Sequence, residues 1–571
     1  MSVGVLRMSQ RTRVWLGALA ALALTACNGG HPGGGPQPAP PPAAPPTASE
    51  AARFLTQASF GATDSSIAAV RSAGYAEWIA QQMAMPVFGS HVAFMQARRA
   101  LPGAPNPSVN ELYGSFWQQA ASGPDQLRQR VKLALSEIFV VSVADPNVNE
   151  LSAASFYDML GDNAFGNYRT LLEQVSLHPA MGVYLTWIAN QKADAATGRH
   201  PDQNYARESM QLMTIGLYQL NLDGTQKLDG AGHPIPTYTG ADIAGLADVF
   251  TGYSWYSPAP STTTFLGGRR DPNAILRSMI PYATFHATTA KTFLGATIPT
   301  SAVADPAGDL KIGLDTLFNH PNVGPFISKQ LIQRLVTSNP SPAYVARVAS
   351  VFNNNGKGVR GDLGAVIQAI LMDSDARATS AAIADPNYGK LREPIVRMAN
   401  WMRAFNTTSA SGGWLLASTS ANTSLGESPL ASTSVFNFYR PGYVPPGTKL
   451  GAQGYAAPEF QIADEVSVAG YLNTMQSAIT AGVGSGRDIT TAYSTELALA
   501  SDANALVDRM NLLLLNGQMS AALRQRIVDS VNGVAIPGGT ATQAQITAAL
   551  LNRVKLANFM AMASAEYLTQ R

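Results

Sequence analysis

The chain has 571 residues, a formal net charge of +2 and 13% charged residues, about half the usual quarter, and no basic tract, so nucleic acid is not an expected partner. A single cysteine in the whole sequence leaves no internal disulfide and no cysteine-based zinc site. Low charge with abundant Ala, Gly, Ser and Thr suits an exported protein with a neutral, hydrogen-bonding surface, and favours uncharged partners such as glycans or other proteins over polyanions.

At the start of the chain, Arg11 and Arg13 precede an apolar run over 14–24 that ends in Leu24-Thr25-Ala26-Cys27. A basic start, a short apolar middle and a small residue at the cut make a secretory signal, and a cysteine directly after the cut makes it a bacterial lipoprotein signal. Residues 1–26 are therefore expected to be removed and Cys27 to become the lipidated first residue. Met8 as the start would leave a tighter signal. The run is too short to span a bilayer, which takes about 20 residues. Asn28, in place of an Asp at that position, favours the outer membrane of a Gram-negative cell envelope. Residues 27–48 then read as the lipidated cysteine and a Pro/Gly/Ala-rich tether without apolar periodicity, semi-rigid at about 3.1 Å per residue.

Residues 49–571 show no second long linker and are expected to form one large domain or two intimately packed ones. Apolar residues recur at helical spacing over 127–141, 168–175, 204–215, 323–336, 344–352, 363–372, 393–405 and 550–567, which predicts a mainly α fold. Thr239-Gly240-Ala241-Asp242 is a capping box in its acidic variant, followed by Ile243, Leu246, Ala247 and Phe250 on one face and a stop at Gly252. Between 218 and 238, Asp223-Gly224 and Asp229-Gly230 punctuate short alternating runs, predicting a small β-hairpin insertion.

Several common chemistries lack their signatures. With Gly224 at position 6 of a calcium loop, positions 1 and 12 would be Gln219 and Gly230, which do not supply the charged oxygens of an EF-hand. None of the seven histidines stands three or four residues from another, as a helical zinc site requires. No Gly-x-Ser-x-Gly elbow, Walker loop or dinucleotide fingerprint occurs. No metal is expected, and no cofactor is indicated.

The segment over 204–216 carries the densest polar chemistry. On a helix Asn204, Arg207, Glu208 and Gln211 form one polar stripe. Arg207 offers a planar fork for oxyanions or sugar hydroxyls, and a partly buried Glu208 can act as acid or base; the ordinary alternative is a solvated face or an internal ion pair. His178 before Pro179, and His286 after Phe285, are further proton-transfer candidates, with capping or core roles as the alternative. The run over 436–443 gathers Phe436, Phe438, Tyr439 and Tyr443 around Arg440, as a sugar-stacking platform or a rigid core loop would.

These segments resemble a bacterial exported family catalogued as domain of unknown function 1800. The likeness rests on Ala52-Arg53-Phe54-Leu55 to Phe60-Gly61, His178-Pro179-Ala180-Met181-Gly182-Val183-Tyr184-Leu185, and Asn204 to Gly216 followed by 238–252. It continues through Phe285-His286, Lys291-Thr292-Phe293-Leu294-Gly295, His320-Pro321, Lys390-Leu391-Arg392-Glu393-Pro394, and Phe436 to Tyr443. The resemblance implies a large, mainly helical, secreted or envelope domain of unestablished activity. Asn204, Arg207 and Glu208 match the family, while Gln211 and Met213 replace a frequent Glu and an aromatic or His.

Two functions stand at this point. One is an extracytoplasmic enzyme acting on a glycan-like polymer, with Arg207, Glu208, His178 and His286 as catalytic groups and Asn204, Gln211, Arg392, Tyr439 and Arg440 in binding. The other is a non-catalytic lipoprotein that binds a glycan or an envelope protein, its polar groups fixing helix register. A deep cleft holding those side chains favours the first.

Overall fold

The helix Gln126–Ser136 carries Arg128, Arg130 and Lys132 at alternate positions and has the composition of a surface helix, yet every residue in it is buried. Its charges are kept inside by carbonyls and side-chain acceptors. Arg128 donates to the Gly161 and Met85 carbonyls at 2.9 and 3.1 Å, and Arg130 to the Arg334 carbonyl at 2.6 Å. Lys132 donates to Gln119 Oε1 at 2.9 Å and faces His91 Nε2 at 2.8 Å. A buried cation persists only with such partners, and burial still lowers the Lys132 ammonium to about 8.

The computed structural model describes residues 44–103, 106–268, 271–377, 385 and 388–571; the expected signal, Cys27 and most of the tether lie outside them. Pro45–Arg571 forms one compact unit, mainly helical with a few short antiparallel strand pairs. No helix among the described residues is long and apolar enough to cross a membrane.

Two more helices share the centre with Gln126–Ser136. Pro394–Ala404 starts with Pro at its first position, where no N–H is needed, and is buried at every residue. Val323–Leu335 is buried along most of its length and packs on Gln126–Ser136, Pro342–Asn353 and Leu363–Met372. N-terminal helices Ala48–Ala58, Tyr75–Ala84 and Asn110–Ser122 pack on the Gln126–Ser136 side, and Ala503–Leu515 closes on Pro394–Ala404. A two-residue ladder pairs Lys390–Leu391 with Thr569–Gln570 near the chain end, and the turn of 3-10 helix Pro458–Ile462 packs on it. That arrangement brings Lys390, Glu393 and Glu459 to the foot of the central helices.

Local signals explain most boundaries. The Thr239 box closes as expected, with its N–H on Asp242 Oδ2 at 2.7 Å, and Asp242 Oδ1 also accepts the Leu294 N–H at 2.7 Å, tying the helix Gly240–Val249 to the hairpin of Lys291–Phe293 and Ala296–Ile298. The predicted helix over 127–141 stops at Ser136, because the next residues leave to dock elsewhere: Val143 N–H donates to the Leu430 carbonyl and Ser142 Oγ to the Ser432 carbonyl. The predicted helix over 204–215 stops at Gln211, where the Met210 carbonyl takes both the Ile215 and Gly216 N–H groups and Gly216 turns the chain at φ +69°. The predicted 550–567 helix begins earlier, at Gln543, and ends at Met562; Ser564 then caps a separate short helix.

The expected β-insertion over 218–238 is a ribbon of isolated bridges rather than continuous strands: Tyr218 with Pro236, Leu220 with Gln226 and Leu228 with Pro234. Asp223 caps its own turn by accepting from the Thr225 N–H and hydroxyl, and Asp229 does so with the Ala231 and His233 N–H groups. Turn formation accounts for both aspartates. Among the described residues, no cluster of three or more His, Cys, Asp or Glu is placed to hold a metal.

Candidate functional site

One face of the helix Val323–Leu335 lines a cleft of about 1110 Å³. Phe326, Lys329, Gln330, Gln333 and, just beyond the helix, Thr337 follow the three- and four-residue spacing of a single helix face, and all border the cleft. The ribbon forms one wall through Tyr218, Leu220 and Gln226. It lies close because of two glycines at positive φ. A Cβ on Gly216 would stand 2.7 Å from the Phe326 ring, and one on Gly224 3.0 Å from Val345 and 3.6 Å from the Lys329 stem. The facing wall is the 435–444 loop with Tyr455, held to the helix by Gln333 Nε2 donating to the Pro441 carbonyl at 3.2 Å.

The cleft floor meets a buried cluster of charge. Glu137, the residue capping Gln126–Ser136, borders the cleft and lies 3.1 Å from Arg334 Nε; the Tyr439 hydroxyl donates to it at 3.4 Å. Behind it Glu393 stands 3.0 Å from Lys390 and 3.7 Å from Arg130, and Lys390 also meets Glu459 at 3.0 Å. Glu427 accepts from the Ile395 N–H at 3.2 Å.

Two of these acids form a buried pair. Glu137 Oε1 and Glu393 Oε2 are both buried and receive no donor, and each carboxyl acts on the other. Burying two neighbouring carboxylates disfavours ionisation of both at once. Burial, and then the neighbouring Glu393 charge, push Glu137 well above the ordinary range, against Arg334 and Arg130. Burial also acts on Glu393, but Lys390 and Arg130 outweigh it and hold Glu393 below the ordinary range. The two shifts run in opposite directions, so Glu137 is the expected protonated member and Glu393 the expected charged one. Burial, reinforced by Glu393, likewise lifts Glu427 to about 8.

The structure divides the sequence-derived candidates. Gln211 and Arg440 border the cleft, and Tyr439 reaches its floor. Asn204, Arg207, Glu208, His178, His286 and Arg392 do not border it, which corrects the expectation of one shared pocket built on Arg207 and Glu208. His178 caps the helix Pro179–Tyr184 by accepting the Ala180 N–H at Nδ1, and burial lowers it to about 3. His286 is fully buried between the Thr251 carbonyl at 2.7 Å and Asp309 at 2.9 Å, an aspartate that Lys291 also contacts at 2.8 Å. Arg392 donates to the Leu514 carbonyl at 3.0 Å and lies over the Tyr567 ring, tying the C-terminal helices to the centre. The aromatic run over 436–443 is part platform and part core: Phe436 and Tyr443 line the cleft, whereas Tyr439 is buried.

The polar stripe exists but faces two environments. Asn204 Nδ2 donates to the Leu185 carbonyl at 3.3 Å, and Gln211 Oε1 accepts from the Tyr238 hydroxyl at 3.1 Å. Arg207 is exposed and Glu208 buried, with Glu208 Oε2 left without a partner. Burial raises the Glu208 carboxyl, opposed by Arg207. Among the described residues the two form no ion pair within 4 Å, so the double variant Arg207→Met, Glu208→Gln is expected to unfold in urea within about 1 kcal/mol of the parent. A loss of several kcal/mol would make the stripe a structural element.

Sequence reading passed over Glu137, Lys329, Gln330, Arg334, Lys390, Glu393 and Glu459. A partial signal existed for two of them, since Lys390 and Glu393 flank the Pro394 helix start within a segment that carries the family likeness; the remainder sit at ordinary helix or loop positions.

Comparison with known proteins yields a match to one family model, described as protein of unknown function (DUF1800), over residues 53–569. No curated protein and no solved structure matches the chain.

Proposed function

We propose, on the premise that the chain belongs to the DUF1800 family of proteins of unknown function, that it is a lipid-anchored protein of the bacterial envelope whose cleft binds a glycan-like chain. The observation that carries this reading is the cleft. At about 1110 Å³ it exceeds the roughly 300–1,000 Å³ of small-molecule pockets, and Phe326, Phe436, Tyr443 and Tyr455 line it, offering ring faces of the kind on which sugar C–H faces stack. The anchor rests on Cys27 and its preceding signal.

Binding is favoured over catalysis by the state of the acids nearest the cleft. Glu137 Oε1 is buried, and its other oxygen is already engaged by Arg334 and the Tyr439 hydroxyl. The carboxylate of Asp375, at one end, already accepts from Ser341 Oγ at 2.6 Å and meets Arg347 at 3.0 Å.

The test is retention of the purified protein on a panel of bacterial polysaccharides. The variant Phe436→Ala, Tyr443→Ala is expected to lose 10- to 100-fold in affinity, about 1–3 kcal/mol, with thermal unfolding little changed. In cells Cys27→Ala is expected to move the protein from the membrane to the soluble fraction. Retention on no polysaccharide, or retention indifferent to the two rings, would defeat the binding reading.

A further inference from the structure

The unpartnered groups of the cleft narrow its occupant, an argument that rests on the reading above. Lys329 and Gln330 are neighbours on the cleft-lining helix. Gln330 is 6% exposed, and its amide is oriented from within: Oε1 accepts from Arg334 Nη1 at 3.3 Å, while Nε2 has no partner. A buried donor left unmade costs about 1–3 kcal/mol, and this one lies inside the cleft wall rather than on its surface.

Lys329 adds charge to the same stretch of helix. Among the described residues its ammonium has no hydrogen bond and no ion pair within 4 Å. The carboxylate whose field it feels, Asp223, is already occupied by the Thr225 N–H and hydroxyl at 2.9 and 2.6 Å. Burial lowers the Lys329 ammonium, and Asp223 only partly offsets this; a bound anion would restore it. On the facing wall the Arg440 guanidinium lies 4.6 Å over the Phe436 ring, again without a carboxylate partner among the described residues.

The acids bordering the cleft are already engaged. Glu137 faces Arg334 and Glu393, Asp375 faces Arg347 and Ser341, and Asp385 has its own partner. What the cleft offers a ligand is two cations, Lys329 and Arg440, without a carboxylate partner among the described residues, while the acids at its border are engaged.

We infer that the cleft selects an acidic polysaccharide, with an oxyanion substituent held by Lys329 and with Arg440 holding the chain from the opposite wall. The oxyanion is a uronate carboxylate or a sulfate ester. A neutral glycan offers the Lys329 ammonium hydroxyl acceptors but no counter-charge. This departs from the composition-based expectation of an uncharged partner: the surface as a whole is nearly neutral, whereas the cleft holds two cations, Lys329 and Arg440, that no carboxylate pairs among the described residues.

The experiment titrates the intact protein with three oligosaccharides of equal length, one neutral, one uronate-bearing and one sulfated. At least one acidic oligomer is expected to bind 10-fold or more tighter than the neutral one, with a preference that shrinks as salt rises; which acidic arm binds tighter identifies the oxyanion. Lys329→Met is expected to abolish the preference, weakening acidic oligomers 10-fold or more and the neutral one by much less, and Lys329→Arg to retain it. Arg440→Gln, at an exposed position, is expected to halve the salt dependence without affecting folding. Equal affinity for neutral and acidic oligomers, or equal weakening of all three by Lys329→Met, overturns the acidic inference and leaves the glycan reading standing. Binding of none of the three removes both.

Discussion

Glu393→Gln is expected to destabilise the protein by about 3–5 kcal/mol at neutral pH, the usual result of removing one member of a buried ion pair. Glu393 is 1% exposed and is the charged member of its carboxyl pair, facing Lys390 at 3.0 Å and Arg130 at 3.7 Å. Removing its charge leaves two buried cations with one fewer counter-charge, since Glu459, the other acid on Lys390, is itself raised by burial. Glu137→Gln is expected to cost under about 1 kcal/mol, because burial and the Glu393 charge raise the Glu137 carboxyl, so an amide there replaces a carboxyl expected to be neutral. Urea unfolding of the two variants at pH 7 measures the contrast. Equal losses would mean that the proton is not on Glu137.

The second large effect is a fall in stability as pH rises through neutrality. Glu427 titrates near its ordinary value, 4.5, when unfolded and at about 8 when folded. A raised folded pKa gives stability that is fully present below pH 4.5 and lost as pH rises through about 8. At about 1.4 kcal/mol per unit of pKa, that span is worth roughly 4 to 5 kcal/mol. Glu137, raised by the same burial, acts in the same direction. His178 acts oppositely: lowered to about 3, it gives stability that is present above pH 6.5 and lost as pH falls toward 3. Because the two trends overlap, the informative quantity is the difference between wild type and Glu427→Gln. The variant is expected to gain on the wild type steadily from pH 5 to pH 8. A flat difference would show Glu427 to be ionised throughout.

The cleft was legible only in pieces. The 390–394 and 436–443 segments are recognisable as sequence motifs, and they do converge at the floor, but the residue in the first whose type points to binding is Arg392, which instead braces the C-terminal helices through Leu514. The reason is that Arg and His advertise chemistry at any position, whereas Glu393 and Lys390 acquire theirs from each other and from Glu459, 66 residues further on by sequence number. Glu137 had no signal at all. It follows a helix whose charged residues suggest a solvated face, and its importance depends on that helix being wrapped on every side.

What the sequence determined by itself is what short-range physics governs. Helical periodicity, the Thr239 capping box and the Asp223 turn are all set within a few residues. The tertiary structure alone decided which charges are buried, which carboxyls are brought together and which cations border the cleft without a carboxylate partner. Those properties come from desolvation and from groups brought together across hundreds of residues: Arg130 bonds the Arg334 carbonyl, and Tyr439 reaches Glu137. No local pattern encodes such meetings, because burial is a property of the packed chain as a whole.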